Sequence, residues 1–454
     1  MAIRVPGIIV RVNNDTGIVA PPGIERFPAI IGAGDPYRLT ADYRIRKGVD
    51  DYDSLGSTTT VNEIISAGDL PGISHYIETT DYTLVGNSIH WVNPAHKPAP
   101  GDYYYVTYTD TRPASAYTPM LYFDENLVYA DHGGSMRTNG AINDVSVGGS
   151  LALNAGANGV IIAQLDLSDA VDPDSPTNSE LETAFIATRD ALEKISGYKL
   201  FLIPMSSGTL NTTSAANIFF NHAVICSMPE RKLERTCIAA LPKGTDYQDA
   251  ATFAESYFHE RMVVPAVPEC TVSVVGFSGD FDTRFYNAVL GGKLCSVAVA
   301  NTISDEILPN ITFTDNFTID EQNYLVQRGV SPGKVSGEVV RNVLAITSNT
   351  TNALTEDLGV QDAADYTKKY CREGLFELYK NKPINNSLMA QVNTSLRSMM
   401  EQLISDNVLS ETKNITATQD VAEPRKINVT GKAKPAFRLQ WMDITFTFAL
   451  SFNS

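Results

Sequence analysis

The chain has 454 residues, 43% of them apolar and 19% charged, with a formal net charge of −17. So much apolar material excludes a disordered chain. The acidic balance argues against nucleic acid or an anionic membrane as a partner, since both need clustered Lys and Arg. Length alone suggests about two to four domains.

No run reaches the roughly 18 apolar residues of a membrane-spanning helix. The opening Met1–Pro6 is not a signal peptide, because the short apolar run that follows, Gly7 to Val10, ends at Arg11. The chain is expected to be made and kept in a cytoplasm. Five scattered cysteines (Cys226, Cys237, Cys270, Cys295, Cys371) have neither disulfide nor zinc spacing, and are expected to be buried and reduced.

In chain order, Ile8, Val10 and Val12 alternate with Ile9 and Arg11, a short strand pattern. A polar, turn-rich connection follows from Asn13 to Gly23, and then a strand over Phe27–Ile31. Residues 37–118 read as β-rich. Asp81–Trp91 is a hairpin around Gly86-Asn87, and Tyr103–Tyr108 is a strand, which together suggest a small β-sandwich or barrel. From about 120 to 345 strands alternate with helices, the grammar of a parallel sheet covered on both faces. The strands are Val160–Ala163, Leu200–Pro204, Cys237–Leu241 and Thr271–Val275. The helices are Ser179–Ile195, Ala215–Met228, Gln248–His259 and Phe285–Ala300, with Asn178 or Ser179 expected to cap the first. Gly291-Gly292 reads as an interruption of the last helix, and His259–Val263 as surface polarity at a helix end.

A strand over Val339–Ile346 leads to two helices, roughly Val360–Lys380 and Asn385–Ser405, separated by Lys382-Pro383. Leu388, Val392, Leu396, Met399 and Leu403 lie at helical spacing and form a core stripe. Strands at Asn414–Ala417 and Lys426–Gly431 follow. At the end, Ile444, Phe446, Phe448, Leu450 and Phe452 alternate with Thr445, Thr447, Ala449 and Ser451. From Leu439 to Phe452 this strand could span roughly 45 Å.

Catalytic patterns are looked for and not found. Gly32-Ala33-Gly34 lacks the third glycine of a dinucleotide site, and Gly276-Phe277-Ser278-Gly279 is not a nucleophile elbow. The six histidines lack metal-ligand spacing. Asp131-His132 has no serine motif with it. No catalytic, metal or cofactor site is assigned, and no enzyme activity is expected. The aromatic set Tyr82, Trp91, Tyr103, Tyr104, Tyr105 and Tyr108 could be a sugar platform but suits a sandwich core better.

Strand-like sequences at both ends are a liability in a monomer, because unpaired edges recruit other chains. Each could close its own domain's sheet or pair with a neighbour's. The Gly- and Pro-containing connections Asn13–Gly23 and Gly431–Ala436 could be hinges or ordinary loops.

The ordered set of features resembles contractile phage tail sheath proteins and the sheaths of related bacterial injection machines. The set comprises Pro6–Val10, Phe27–Gly32, Asp320–Val330, Val339–Ile346 with Thr350-Thr351, the paired helices, Pro424–Val429 and the terminal strand. The resemblance implies a mixed α/β, multidomain chain. An arm strand and linker would occupy 1–23, a strand leading into an insertion 24–36, and an inserted β-sandwich 37–118. A subtilisin-like α/β domain without a catalytic triad would occupy 119–345, an α+β domain facing a tail tube 346–436, and a terminal arm strand 437–454.

It further implies stacked hexameric rings around the tube, contracting without ATP to drive the tube through a target envelope. Gly7, Ile8, Ile9, Val10 and Val12 would be arm residues at one end. Leu439, Trp441, Ile444, Phe446, Phe448, Leu450 and Phe452 would be their counterparts at the other. Gly17, Gly23, Gly431 and Pro435 would be arm hinges. The partners implied are other copies of the chain, a tube protein, and baseplate and terminator proteins, in a virion assembled in a bacterial cytoplasm. The alternatives are a carbohydrate-binding structural protein or a hydrolase on an α/β scaffold.

Overall fold

A computed structural model describes residues 25–437, apart from 36, 46–51, 55–57, 67–74, 86–87, 96, 100–102, 112–116, 138–139, 174, 207–213, 229–230, 275–276, 300 and 314. Both expected arms, including the hinge residues Gly17 and Gly23, lie outside the described residues.

Strand β1 (Arg26–Gly32) is a central strand of the main sheet, and its residues from Phe27 onward are buried. The chain then leaves through β2 (Tyr37–Ile45), β3 (Tyr52–Ser54), β4 (Thr58–Ser66), β5 (His75–Tyr76), β6 (Tyr82–Val85), β7 (Ser88–Trp91) and β8 (Tyr103–Thr111), and returns at β9 (Met120–Tyr122). These excursion strands form two separate sheets, in the orders β2-β8-β4-β5 and β3-β7-β6. Tyr76, Tyr82, Ile89, Trp91, Tyr104 and Val106 fill a small core of their own. The expected hairpin is present as β6–β7, with Tyr82 opposite Trp91.

Helices α1 (Glu125–His132) and α2 (Asp144–Asn154) come next, followed by β10 (Val160–Gln164), α3 (Asn178–Glu193), β11 (Lys199–Pro204), α4 (Ala215–Cys226), β12 (Arg235–Ile238), α5 (Tyr247–Ser256) and β13 (Met262–Ala266). The chain continues with β14 (Cys270–Val274), β15 (Phe277–Phe281), α6 (Thr283–Ser296), β16 (Ile307–Leu308), β17 (Ile311–Thr312), α7 (Ile319–Gln327), β18 (Val330–Ser336) and β19 (Val339–Asn342). The main sheet runs β16-β19-β18-β13-β12-β11-β1-β10-β9. It is parallel from β10 to β18 and antiparallel at both margins.

Alternate side chains of β1 feed two cores. Ile30 packs with α2 and α6; Phe27, Ala29 and Ile31 pack on the side of α3, α4, α5 and α7. This is the two-faced burial expected of a parallel sheet.

Several local expectations are corrected. Gly291-Gly292 does not interrupt α6. A Cβ on Gly292 would lie 2.2 Å from the Ala152 carbonyl oxygen, so the glycine is there to let α6 approach α2. Helix α3 is capped by Thr177 rather than Asn178 or Ser179, in a reciprocal capping box with Glu180. His259–Val263 runs into the buried strand β13, and β14 pairs with β15 and β17 outside the main sheet. The strand from Val339 ends at Asn342. All five cysteines are free and buried.

A last unit contains α8 (Ala353–Glu356), α9 (Leu358–Tyr379), α10 (Asn386–Ser405), β20 (Leu409–Gln419) and β21 (Ile427–Pro435). The expected stripe Leu388, Val392, Leu396, Met399 and Leu403 is buried in its core. No helix among the described residues is long and apolar enough to cross a membrane.

Candidate docking groove and ionic joint

Strands β20 and β21 form a two-stranded antiparallel sheet from Leu409↔Pro435 to Gln419↔Ile427, with a register break between Lys413 and Thr416. Among the described residues no third strand joins either edge. The sheet is fixed to α10 by an amide that mimics a strand: Asn393 Nδ2 donates to Ala417 O at 3.1 Å, and Asn393 Oδ1 accepts from Ala417 N at 2.8 Å.

Of the stretch expected to hold hinge residues, Gly431 to Pro435 falls within β21. Gly431 and Pro435 lie in β21: Pro435 stands opposite Leu409, and Gly431 lies at the register break, between Lys432 opposite Lys413 and Thr430 opposite Thr416. A Cβ on Gly431 would sit 2.2 Å from Ile415 Cδ1 and 3.0 Å from Ile415 Cα, so the glycine permits close approach beside the register break.

A broad groove opens between α9, α10 and this sheet. Leu375, Leu378, Leu388, Ile415, Ile427 and Val429 give it an apolar lining, and Lys368, Arg372, Lys380, Lys382 and Arg425 add cations. Phe376, also on the groove, is 65% exposed. Residues 346–437 carry 11 acidic and 11 basic side chains, against 27 and 14 in residues 119–345, so the groove lies in a segment without the net acidity of residues 119–345.

Helix α9 is bolted to the main sheet by buried charge. Arg26 opens β1, Lys199 opens β11, Arg235 opens β12, and Arg261 immediately precedes β13. These strands are adjacent and parallel, so the four cations line one end of the sheet. Asp362, Asp365, Lys369 and Arg372 on α9 follow steps of 3, 4 and 3 residues, which place them on one helix face.

Asp365 accepts two bonds from Arg261, that from Nη2 to Oδ1 being 2.7 Å, and a third from Lys199 Nζ at 2.9 Å. Asp362 pairs with Arg26, and lies 3.1 Å from Lys199 Nζ. Arg372 bonds Glu234 at 3.0 Å. Burial alone would raise the Asp365 carboxyl, but Lys199 and Arg261 beside it hold it well below the usual carboxylate range. Lys369, also buried, is pushed down by desolvation. Arg235 instead donates to the Tyr198 and Ile195 carbonyls beyond the end of α3, and burial lowers it to about 10.

Sequence reasoning missed this joint. The available signal was a cation at the start of each of four adjacent strands, together with a charged stripe on α9.

No group of three or more His, Cys, Asp or Glu side chains among the described residues could hold a metal ion. His132 is buried against Tyr122 and Gln164. Tyr82, Trp91 and Tyr104, candidates for a sugar platform by composition, are buried in the excursion core.

Comparison with protein-family models gives no match, and neither does comparison with curated proteins. Solved structures do match. The helical sheath of the anti-feeding prophage in its contracted state aligns over 98% of this chain and 99% of that chain, with TM-score 0.57 and 11% identity. A chain of the six-fold symmetrised anti-feeding prophage baseplate aligns over 99% and 100%, with TM-score 0.53 and 12% identity. The contracted PVC sheath complex of an extracellular contractile injection system aligns over 73% and 87%, with TM-score 0.54 and 10% identity. The likeness is therefore one of architecture, and the chain has the mixed α/β fold of sheath proteins from contractile injection systems.

Proposed function

We propose that the chain is a structural subunit of a contractile tail sheath. Copies stack as hexameric rings around a tube, and the array contracts without ATP to drive the tube through a target envelope. Neighbouring copies are linked by strand donation: residues 7–12 and 439–452 add strands to the β20–β21 sheets of adjacent copies. The partners are the chain itself, a tube protein facing the helical region 360–405, and baseplate and terminator proteins. Such a particle is a virion tail or a related injection machine assembled in a bacterial cytoplasm.

The observation that carries this reading is a two-stranded sheet with no third strand on either edge among the described residues, bordering an apolar groove. Open edges and alternate apolar pockets are what an incoming strand recognises. Sheath-like architecture over nearly the whole chain supports it. A structural rather than enzymatic role agrees with those neighbours, and with an Asp131–His132 pair engaged by Tyr122. Burial of Tyr82, Trp91 and Tyr104 weighs against a sugar platform built from those rings.

Negative-stain electron microscopy of the purified chain, alongside a version ending at residue 437, tests the proposal. The full chain is expected to form rings or tubes of constant width. The shortened chain is expected to stay folded, by circular dichroism, without assembling. A full chain that stays monomeric at high concentration would refute the reading; so would a shortened chain that still builds tubes.

A further inference from the structure

The ionic joint contains a cavity of about 10 Å³, which is room for a single water molecule. Glu234, Asp362 and Lys369 line it, together with Arg26, Lys199 and Tyr366. Two of these walls are carboxylates with an oxygen to spare. Glu234 Oε1 accepts from Arg372 Nη2 at 3.0 Å, but Glu234 Oε2 has no hydrogen-bond donor among the described residues. Asp362 Oδ2 is taken by Arg26. Asp362 Oδ1 lies 3.1 Å from Lys199 Nζ but out of hydrogen-bonding alignment, and is likewise without a donor. Glu234 and Asp362 are 6% and 4% exposed, so bulk solvent does not supply the missing bonds. A buried carboxylate oxygen without a donor is costly, and two on one small space call for a common explanation.

The third wall is a donor with the opposite need. Lys369 is 2% exposed, and its one ion pair among the described residues is with Glu373 at 3.8 Å, too long for a hydrogen bond. Its ammonium has three N–H groups to place. We infer that the joint holds one ordered water molecule as a structural ligand, which donates to Glu234 Oε2 and Asp362 Oδ1 and accepts from Lys369 Nζ. Three hydrogen bonds are the usual number for a buried water.

The charges around the space select a neutral occupant. An anion would face two carboxylate oxygens, and a cation would face Arg26, Lys199 and Lys369. A molecule that both donates and accepts meets all three unsatisfied groups at once. Desolvation pushes the Lys369 ammonium down while Glu373 and Glu234 hold it up, which agrees with a Glu234 carboxylate on the same space. Glu234 stands just before β12, whereas Asp362 and Lys369 lie two turns apart on one face of α9. The water therefore ties the main sheet to α9 beside the direct ion pairs, and links Lys369 to Glu234. None of this depends on the sheath reading.

A density map of the full chain tests the inference, by cryo-electron microscopy if it assembles and from a crystal if it does not, at a resolution that shows ordered waters. One water-sized peak is expected about 2.7–3.2 Å from Glu234 Oε2, Asp362 Oδ1 and Lys369 Nζ. A map that shows ordered waters elsewhere in the core and none here would overturn the inference. So would a direct bond from Lys369 Nζ to Glu234 Oε2 that closes the space. Preparation in bromide should leave the peak no stronger; a stronger peak would make the occupant an anion and overturn the assignment. Lys369→Met removes the donor and keeps the length of the side chain. Its map should show the peak weakened or lost with the Arg26–Asp362 pair still in place, and an undiminished peak would overturn the role given to Lys369. If that variant does not fold, the wild-type map still decides.

Discussion

Replacing Asp365 with alanine is expected to lower the stability of the chain by about 3–5 kcal/mol, the usual cost of stranding a buried charge. The carboxylate is 1% exposed and serves Arg261 and Lys199 together. Its removal leaves buried Arg261 without its carboxylate and Lys199 with Asp362 alone, which it shares with Arg26. The effect is one of stranding, so a Lys199→Met, Asp365→Asn double variant should cost less than the two single changes added together.

The pH dependence has a definite sign. The folded-state carboxyl of Asp365 is depressed, so its contribution is complete above the ordinary carboxylate value near pH ~4 and is lost as pH falls through the folded value. Urea midpoints of wild type and Asp365→Ala should therefore differ by a constant amount from pH 5 to 8 and converge in stronger acid. A gap that widened in acid would contradict the pairing.

The second large effect is expected at Gly292. Helix α6 crosses α2 so closely that an added Cβ would meet the Ala152 backbone, 2.2 Å from its oxygen and 2.7 Å from its Cα. Backbone cannot swing aside as a side-chain tip can, so relief requires the two helices to part in the main core. Gly292→Ala should cost at least about 2–3 kcal/mol, and Gly292→Val more. Gly134 is the control, because a Cβ added there would meet nothing within 4 Å and its backbone is not left-handed. Gly134→Ala should change stability by no more than about 0.5 kcal/mol, measured by the same urea series.

The parts of the fold that could be read in the sequence are those whose periodicity is local. Strands β1, β10 and β11 are uninterrupted apolar runs. Helices α9 and α10 are long enough for a 3.6-residue stripe to repeat several times. Helix α2 could not be read that way, because Val145-Ser146-Val147-Gly148-Gly149 combines β-branched residues and glycines that disfavour an isolated helix. Its small residues are explained by what lies against them: a Cβ on Gly149 would come within 2.8 Å of Ile162 Cδ1. Strand β13 was hidden by the charged residues before it and by Pro265 within it. Arg261 looks like surface polarity until Asp365, 104 residues further on, neutralises it. The same holds for Arg26, whose partner Asp362 is 336 residues away.

Gly431-Lys432-Ala433-Lys434-Pro435 has the composition of a loop, and becomes strand only because β20 supplies the ladder. The docking groove, likewise, is made by the packing of α9, α10 and the sheet, and no single segment encodes it. The alternation at the chain's end was legible, but periodicity alone does not say whose sheet that strand completes.

Mixed-copy cross-linking answers that question most directly. One copy would carry Val429→Cys on β21, beside the groove, and a second Phe448→Cys in the terminal segment; the native cysteines are all buried. Strand donation predicts a disulfide joining the two different copies when they are mixed and allowed to assemble. A chain carrying both substitutions that closes the bond only within itself, while the mixture yields no joined pair, would contradict it.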